Sequence, residues 1–264
     1  MIDSEKLLSG IEAAAREAGA IMRDAEDIRS TITAKEGHAN FVTAYDRRVQ
    51  AYLFESLSKL LPGAGFIGEE DGADRFTETD RQGFAFCIDP IDGTSNFLAG
   101  YRPSVTSIAL LRDGRPFLGV VYEPYRDLMF TAIDGMGARL NGTAIRSSGE
   151  PLSRSLVLFG TATYNPEYAE RTFALCAEYL PRCIDLRRSG SAAWDLCSVA
   201  MGSVGLYFEL SLQLWDYAAA GLIAQEAGCC ISDLTGKPLS WCGPSSIICA
   251  SEGVAKENYF PSNA

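Results

Sequence analysis

Apolar residues recur every three or four positions along several stretches of the chain. This spacing is that of an amphipathic helix, and the longest such stretch begins at Ser4, whose hydroxyl can cap a helix. A later stretch begins at Thr43 and ends at Pro62-Gly63, a pair that stops helices. The pattern predicts helices over residues 4–28, 43–61, 166–180, 191–201 and 216–227.

Shorter apolar runs lie between these stretches and predict β-strands. Residues 104–147 alternate between apolar and polar positions and contain turn signals such as Asp113-Gly114, so we predict an antiparallel meander there. Further strands are predicted over residues 65–68, 84–88, 155–160, 183–187, 204–210, 229–233 and 246–250. The order of elements predicts a layered α+β protein, antiparallel first and mixed later.

The length of the chain allows one large domain or two closely joined lobes. It has 264 residues, 47% of them hydrophobic, which is enough for a full core. No repeat or flexible linker divides it. The change of pattern near residue 150 predicts an N-terminal α+β lobe over residues 1–150 and a C-terminal α/β lobe over residues 151–264.

Charge and composition exclude several classes of function. The net charge is -11 without a Lys/Arg-rich run, so direct nucleic-acid binding is not expected. No apolar run has the length of a membrane span, and charged residues interrupt the first apolar ones, so neither a membrane anchor nor a secretory signal is expected. The eight cysteines include no Cys-x-x-Cys pair, which favours reduced thiols in a cytoplasmic protein. His38 is the only histidine, which excludes a histidine-rich metal site.

Carboxylates stand where predicted elements meet. Asp89 and Asp92 follow an apolar strand and precede Gly93-Thr94, which can open a helix. Two carboxylates three residues apart suit a hard divalent cation, and the free N–H groups at a helix start suit an anion. Taken alone, a carboxylate of this kind is more often a helix cap or a solvated side chain. Similar positions are held by Glu69, Asp46 and Asp216.

Together these motifs resemble those of the inositol monophosphatase family, which are magnesium-dependent, lithium-sensitive phosphatases. The resemblance runs from Lys35 to Ala250. It implies a layered αβαβα sandwich with an antiparallel sheet in the N-terminal lobe and a mixed sheet in the C-terminal lobe. The segments that carry it are Gly68-Glu69-Glu70, Asp89-Pro90-Ile91-Asp92-Gly93-Thr94-Ser95-Asn96-Phe97, Gly190-Ser191-Ala192-Ala193 and Trp215-Asp216-Tyr217-Ala218-Ala219-Ala220-Gly221.

The resemblance implies two or three Mg²⁺ ions in each active site. Glu69, Asp89 and the backbone carbonyl of Ile91 would bind the first ion. Asp89, Asp92 and Asp216 would bind the second, and Glu69 with water would bind a weaker third. Ligands that offer only oxygen atoms suit this hard cation.

The same resemblance implies hydrolysis of a phosphate monoester by a metal-activated water. Asp46 and Thr94 would orient and deprotonate that water. Glu69 is predicted as the third catalytic residue. The phosphate would lie against the N–H groups of Gly93 and Thr94 at the start of a helix. The substrate contacts expected in full are Gly93, Thr94, Gly190, Ser191, Ala192, Glu209 and Asp92.

The substrate itself stays open at this point. Ser95-Asn96 follows the Asp-Gly-Thr segment where relatives that act on nucleotide bisphosphates tend to carry Lys-Glu, which favours myo-inositol monophosphate or a related sugar phosphate. Fructose-1,6-bisphosphatase, histidinol-phosphate phosphatase and 3′-nucleotidase activities are alternatives. So is a non-catalytic regulatory protein on the same fold. Relatives are often homodimers, so a homodimer is expected.

Two positions depart from the family pattern. Ala99 stands where many relatives have His, and Gly205 stands where many have Asp. Neither position is a metal ligand in the family. The second departure puts the surroundings of the substrate pocket in question.

Other phosphatase classes fit less well. Asp89 and Asp92 are spaced one residue too far apart for the haloacid-dehalogenase motif. The segment from Cys176 to Arg182 has the spacing of a cysteine-phosphatase loop, yet it lacks glycine and lies in a predicted helix.

Overall fold

The computed structural model describes residues 3–31, 33–34, 41–71 and 82–261 of the chain. His38, and Lys35 at which the family resemblance begins, lie outside these ranges. The helices are α1 (Ser4–Arg23), α2 (Ala44–Leu60), α3 (Thr94–Ala99), α4 (Ala169–Tyr179), α5 (Ala192–Ala200) and α6 (Leu214–Glu226). The strands are β1 (Thr33–Ala34), β2 (Phe41–Val42), β3 (Gly65–Gly68), β4 (Phe84–Asp92), β5 (Val105–Arg112), β6 (Arg115–Glu123), β7 (Leu128–Ile133), β8 (Ala138–Leu140), β9 (Thr143–Ile145), β10 (Leu156–Phe159), β11 (Asp185–Arg187), β12 (Leu206–Leu212), β13 (Cys230–Ser232) and β14 (Ser245–Ala250).

The strands form two large sheets and one small one. Seven strands pair in the order β3-β4-β5-β6-β7-β8-β9, and five pair in the order β11-β10-β12-β14-β13. The larger sheet is antiparallel apart from its β3–β4 pair, which is parallel. The smaller is mixed, because β10 runs parallel to β11 and β12 while β14 runs antiparallel to its neighbours. β1 and β2 form a separate antiparallel pair.

Helices cover both faces of each large sheet. Phe86 and Ile88 of β4 pack with α1 and α2, whereas Cys87 packs on the opposite face with α5 and α6. This is the alternation that a strand buried on both sides requires. Tyr207 of β12 joins the same α5–α6 core from the second sheet, and Phe208 packs on the outer face with α4. The five layers α, β, α, β, α confirm the predicted fold class.

The central helix layer joins the two halves of the chain. α6 is buried around nearly its whole circumference, as expected of a helix that lies between two sheets. One apolar core therefore contains residues from both sides of position 150. The division into lobes at that position stays a prediction. None of the helices in the described part of the chain combines the length and the apolar character that crossing a bilayer requires.

Several predicted helix ends are wrong by a few residues. Asp3, rather than Ser4, caps α1, because its carboxylate accepts the Lys6 N–H at 3.1 Å. The same helix ends at Arg23 instead of residue 28. α6 begins at Leu214, so Asp216 lies inside its first turn. Thr43, where the second helix was predicted to begin, is the cap of α2, and its hydroxyl accepts the Tyr45 N–H at 3.1 Å.

Candidate active site

The strand that carries Asp89 and Asp92 is longer than predicted and irregular. β4 continues to Asp92, and its pairing with β5 shifts between Asp89, opposite Ser107, and Asp92, opposite Val105. In a regular strand, residues three apart point to opposite faces. The extra residue of this bulge brings both carboxylates to the side of the sheet that α5 and α6 cover.

Asp89 lies among three other carboxylates. Burial raises its pKa well above the ordinary value, and Glu69, Asp92 and Asp216 raise it further by repulsion. Glu69 begins a short 3₁₀ turn directly after β3, and Asp216 lies in the first turn of α6. Three elements therefore bring four acidic side chains to one place.

Asp216 both caps its helix and faces the site. Its Oδ2 accepts the Gln213 N–H at 2.7 Å, which satisfies a donor at the start of α6. Burial raises its pKa well above the ordinary value, and the charges of Asp92 and Glu69 raise it further. Asp216 is therefore a helix cap and a residue of the candidate site at the same time.

Asp92 is bound by the start of α5. Its Oδ2 accepts the Ser191 hydroxyl at 2.7 Å and the Ala193 N–H at 2.7 Å, and its Oδ1 accepts the Ala192 N–H at 3.3 Å. Burial raises its pKa to about 6, although these hydrogen bonds act in the opposite direction. Ser191 and Ala192, predicted as substrate contacts, thus hold a predicted metal ligand.

Asp46 and Thr94 are connected, as the predicted pair requires. The Thr94 hydroxyl lies 3.1 Å from Asp46 Oδ1 and 3.0 Å from the carbonyl oxygen of Ile91. Asp46 Oδ2 accepts the Thr43 N–H at 2.7 Å. Burial raises the pKa of Asp46, and its hydrogen bonds with Thr43 and Thr94 lower it in part.

The start of α3 lies close to the Gly190 turn. Gly93 has a φ of +89°, and a Cβ there would lie 3.1 Å from the Pro103 carbonyl oxygen and 3.3 Å from that of Gly190. Only glycine fits this left-handed, crowded position. Asn96 holds the two segments together, since its side chain donates to the carbonyls of Pro103 at 2.7 Å and Ser189 at 2.9 Å.

These side chains surround one cavity of about 410 Å³. Every predicted site residue except Asp46 lines it, and Asp46 lies buried behind Thr94. Glu209 is fixed at its wall: its Oε1 accepts the Ala162 N–H at 2.7 Å and its Oε2 accepts the Tyr207 hydroxyl at 2.6 Å. It is therefore a buried residue of the cavity and not a surface carboxylate.

Sequence reasoning missed several residues of this cavity. Asp195 lies in the first turns of α5, and Arg188 precedes the Gly190 turn. Tyr164 lies in the loop after β10 and lines the cavity, with about half of its surface (53%) exposed. For Asp195, its place four residues after Ser191 on a predicted helix was an available signal. The loop residues of the cavity carried no such signal in the sequence; they are Gly160, Thr163 and Tyr164.

The two family departures lie away from the cavity. Ala99 is an exposed residue at the end of α3. Gly205 is buried before β12, where a Cβ would lie 2.4 Å from the Ser155 Cβ. The close packing of Gly205 against Ser155 explains why this chain carries no side chain there. The atoms nearest to this Cβ belong to Ser155 and Val254, which do not line the cavity. The expected effect of this position on the surroundings of the pocket is therefore not supported.

The donor set fits Mg²⁺. Among the residues that the structure describes, no three Asp, Glu, His or Cys side chains close around a point where an ion could sit. Four carboxylates nevertheless face one cavity, and their mutual repulsion marks a place where a cation would be stabilised. Mg²⁺ keeps several waters and needs only a few carboxylates from the protein. An open, oxygen-only group of ligands is therefore appropriate for it.

Comparison with known proteins identifies the family. The sequence pattern of the inositol monophosphatase family matches residues 3–262. This chain belongs to the inositol monophosphatase family. The match covers both sheets and every described residue of the cavity.

Individual relatives cover most of the chain. Nus factor SuhB of Escherichia coli K12 is 37% identical over 225 residues, which are 84% of this chain and 83% of that protein. The extragenic suppressor protein suhB from Bartonella henselae has a similar structure, with a TM-score of 0.84 at 30% identity over 93% of both chains. Inositol monophosphatase II of Staphylococcus aureus, in a structure with bound inositol monophosphate, gives a TM-score of 0.77 at 26% identity, covering 96% of this chain and 92% of that one.

Proposed function

We propose that the protein hydrolyses a phosphate monoester in a Mg²⁺-dependent reaction, with myo-inositol monophosphate or a related sugar phosphate as substrate. The observation that carries this proposal is the convergence of Glu69, Asp89, Asp92 and Asp216 beside the Asp46–Thr94 pair. The Staphylococcus aureus relative with bound inositol monophosphate supports the substrate class.

Mg²⁺ would be held by Glu69, Asp89, the Ile91 carbonyl, Asp92 and Asp216. Bound there, it would supply the positive charge that neutralises the phosphate and activates water. The first-turn N–H groups of α3 have no partner within the helix, so they can bind phosphate oxygens.

The Asp46–Thr94 pair would hold and accept the proton of the attacking water. Thr94 has one hydroxyl proton, which it donates to Asp46 or to the Ile91 carbonyl, and its lone pairs remain to accept from water. The raised pKa of Asp46 makes it a better base than an exposed aspartate. Glu209 and the Gly190 turn would contact the hydroxyls of the leaving alcohol.

The first test is phosphate release with Mg²⁺ from a panel of esters. The panel comprises myo-inositol 1-phosphate, fructose 1,6-bisphosphate, histidinol phosphate and adenosine 3′,5′-bisphosphate, each with and without millimolar lithium. We expect the inositol ester to be hydrolysed fastest and lithium to inhibit. Activity that survives removal of divalent ions by a chelator would contradict the proposal.

The Asp92→Asn variant tests the metal assignment. The substitution keeps a hydrogen-bond acceptor for Ser191 but removes one negative charge from the site. We expect turnover to fall by about 100-fold or more, because Mg²⁺ binding requires charged ligands. Asp134→Asn, at an exposed turn, is the control and should keep full activity. Near-normal turnover in Asp92→Asn would remove Asp92 from the ligand set.

A regulatory, transcription-associated binding role is the second candidate. It is favoured by one observation, the 37% identity to proteins named Nus factor SuhB. A pull-down of RNA polymerase factors with the wild type and with Asp92→Asn separates the two functions. Equal capture by both proteins, without turnover of any ester by the wild type, would favour the regulatory role.

A further inference from the structure

Asn96 lines the cavity, yet the proposed mechanism gives it no role. It lies in the first turn of α3, two residues after Thr94, and only 8% of its surface is exposed. Its side-chain nitrogen donates to the carbonyl oxygens of Pro103 at 2.7 Å and of Ser189 at 2.9 Å. An amide nitrogen carries two hydrogens, so these two bonds use both of them.

The two acceptors belong to separate parts of the chain. Pro103 precedes β5 and is close to Asn96 in sequence, whereas Ser189 is 93 residues away. Ser189 opens the Gly190 turn, which comprises residues 189–191 and leads into α5. One amide group therefore connects the proposed phosphate-binding start of α3 with the turn that would contact the alcohol portion of the substrate.

The amide also packs directly against Gly190. A Cβ on that residue would lie 3.1 Å from Asn96 Oδ1 and 3.3 Å from its Nδ2, and the φ of Gly190 is +88°. A side chain there would strain the backbone and press on the amide. Hydrogen bonding and close packing thus act on the same contact between α3 and the turn.

The start of α3 is held by other bonds as well. The Thr94 hydroxyl lies 3.0 Å from the Ile91 carbonyl oxygen, and the Ser104 hydroxyl lies 3.3 Å from the Gly93 carbonyl oxygen. These bonds do not involve Asn96. Removing the Asn96 amide should therefore leave the phosphate-binding N–H groups in place.

The Gly190 turn depends more strongly on Asn96. Within the described part of the chain, the bond from Asn96 to Ser189 is the one side-chain hydrogen bond that joins the turn to α3. The Ser189 hydroxyl bonds to the backbone of Ser191 inside the turn, and the Ser191 hydroxyl donates to Asp92 at 2.7 Å. Without the Asn96 amide, the Ser189-Gly190 part of the turn loses its connection to the phosphate site.

We propose that Asn96 is a positioning residue that sets the distance between the phosphate site at the start of α3 and the Gly190 turn. This inference rests on the proposed function. A substrate that contacts both places requires the correct distance between them, whereas one held through its phosphate group alone does not. Displacement of a positioned group by about 1 Å can cost roughly 100-fold in rate.

The test compares two esters in two variants. Wild type, Asn96→Ala and Asn96→Leu are assayed with myo-inositol 1-phosphate and with phenyl phosphate, whose alcohol portion has no further hydroxyl. Both variants lack the two donors, and leucine keeps the branched shape of the side chain. In each variant we expect kcat/KM to fall roughly 10- to 100-fold with the inositol ester and less than about 3-fold with phenyl phosphate.

Asn141→Ala is the matched control. The Asn141 side chain also joins two segments, since it donates to the Asp127 carbonyl at 2.9 Å and accepts the Met129 N–H at 2.8 Å, yet it does not line the cavity. Its substitution should lower stability in urea unfolding and leave the ratio of the two kcat/KM values unchanged.

Three results would overturn the inference. Equal losses with both esters in the Asn96 variants would indicate a structural role, and no loss with either ester would indicate none. Wild-type selectivity in Asn96→Leu would show that packing without the hydrogen bonds sets the distance. If neither Asn96 variant folds, Gly190→Ala displaces the same contact from the side of the turn, and it must then change the ratio in the same direction.

A binding measurement separates failure of this inference from failure of the proposed function. If the wild type hydrolyses neither ester, the phosphatase proposal fails, and calorimetry with myo-inositol 1-phosphate and with inorganic phosphate then tests Asn96. A Kd that is roughly 10- to 100-fold weaker for the inositol ester in Asn96→Ala, with less than about 3-fold change for phosphate, supports the positioning role. Equal weakening of both ligands, an unchanged Kd for both, or no binding by the wild type overturns it.

Discussion

Three acidic residues of the site owe their orientation to helix starts. Asp46 accepts the Thr43 N–H beside α2, Asp216 accepts the Gln213 N–H beside α6, and Asp92 accepts the Ala193 N–H of α5. A carboxylate at a helix start is stabilised by the free N–H groups there and by the helix dipole. The hydrogen bonds that help the helices to form therefore also position the groups for chemistry.

Thr94 gives the clearest test at the scale of a single residue. Thr94→Val keeps the shape of the side chain and removes the hydroxyl that lies between Asp46 and the Ile91 carbonyl. We expect kcat to fall by about 100-fold or more, because general-base assistance of this kind contributes that much. Thr94→Ser keeps the hydroxyl and should retain kcat to within about 10-fold. Steady-state kinetics at saturating Mg²⁺ measures both.

The two variants of Thr94 control for each other. A loss of packing would affect Thr94→Ser at least as much as Thr94→Val, since serine is the smaller residue. Similar kcat values in the two variants would mean that the hydroxyl takes no part in the reaction. A change in KM alone would indicate that Thr94 contributes to phosphate binding and not to proton transfer.

At the scale of elements, strand register brings Gly160 against Glu209. β10 runs parallel to β12 with Phe159 opposite Phe208, so the residues that follow are neighbours. A Cβ on Gly160 would lie 1.8 Å from Glu209 Oε2, far inside van der Waals contact. The absence of a side chain at Gly160 is what allows the Glu209 carboxylate to occupy the wall of the cavity.

Gly160→Ala should therefore displace Glu209. Because that carboxylate is buried and hydrogen-bonded to Ala162 and Tyr207, it cannot move without losing a partner. We expect KM for myo-inositol 1-phosphate to rise about 10-fold and stability to fall by roughly 1–3 kcal/mol. Enzyme kinetics and urea unfolding measure the two effects.

Gly149→Ala is the control for that substitution. No atom lies within 4 Å of a Cβ built on Gly149, so both quantities should stay at wild-type values. If Gly160→Ala also leaves KM unchanged, then Glu209 does not contact the substrate. Loss of stability without a change in KM would restrict Glu209 to a structural role.

Helices and strands could be predicted where residues close in sequence determine them. Apolar periodicity and the Pro62-Gly63 pair placed α2, and short apolar runs placed the buried strands. The bulge in β4 was not predictable from the Asp89–Asp92 segment, since it depends on pairing with β5. The contact of Gly160 with Glu209 likewise requires the register of two separated strands.

The family motifs identified the four carboxylates that face the cavity, but not every residue of its wall. Glu69, Asp89, Asp92 and Asp216 lie in segments whose residue types are fixed by their chemistry, so a resemblance identifies them. Asp195 and Arg188 reach the cavity through the placement of α5 and of the turn before it. That placement is a property of the folded molecule, and the family motifs do not include either residue.

At the scale of the whole molecule, the fold concentrates negative charge at one point. The chain carries a net charge of -11, and the pKa values of Asp89, Asp92 and Asp216 are all raised, first by burial. Above the pKa of an exposed aspartate, the folded protein holds protons that the unfolded chain has released. Without divalent ions, these groups therefore reduce stability as the pH rises from about 4 through the Asp92 pKa of about 6 and beyond.

Mg²⁺ should reverse that loss. In the presence of a chelator, we expect the free energy of unfolding to be roughly 1–3 kcal/mol lower at pH 7.5 than at pH 5, because the buried carboxylates must then ionise next to one another. Mg²⁺ should restore stability at pH 7.5 and have less effect at pH 5, where protons compete with it. Urea unfolding at constant ionic strength measures this. Asp92→Asn should show a flatter pH dependence, which separates the site from the overall charge. A pH dependence that Mg²⁺ leaves unchanged would contradict a metal site built on these carboxylates.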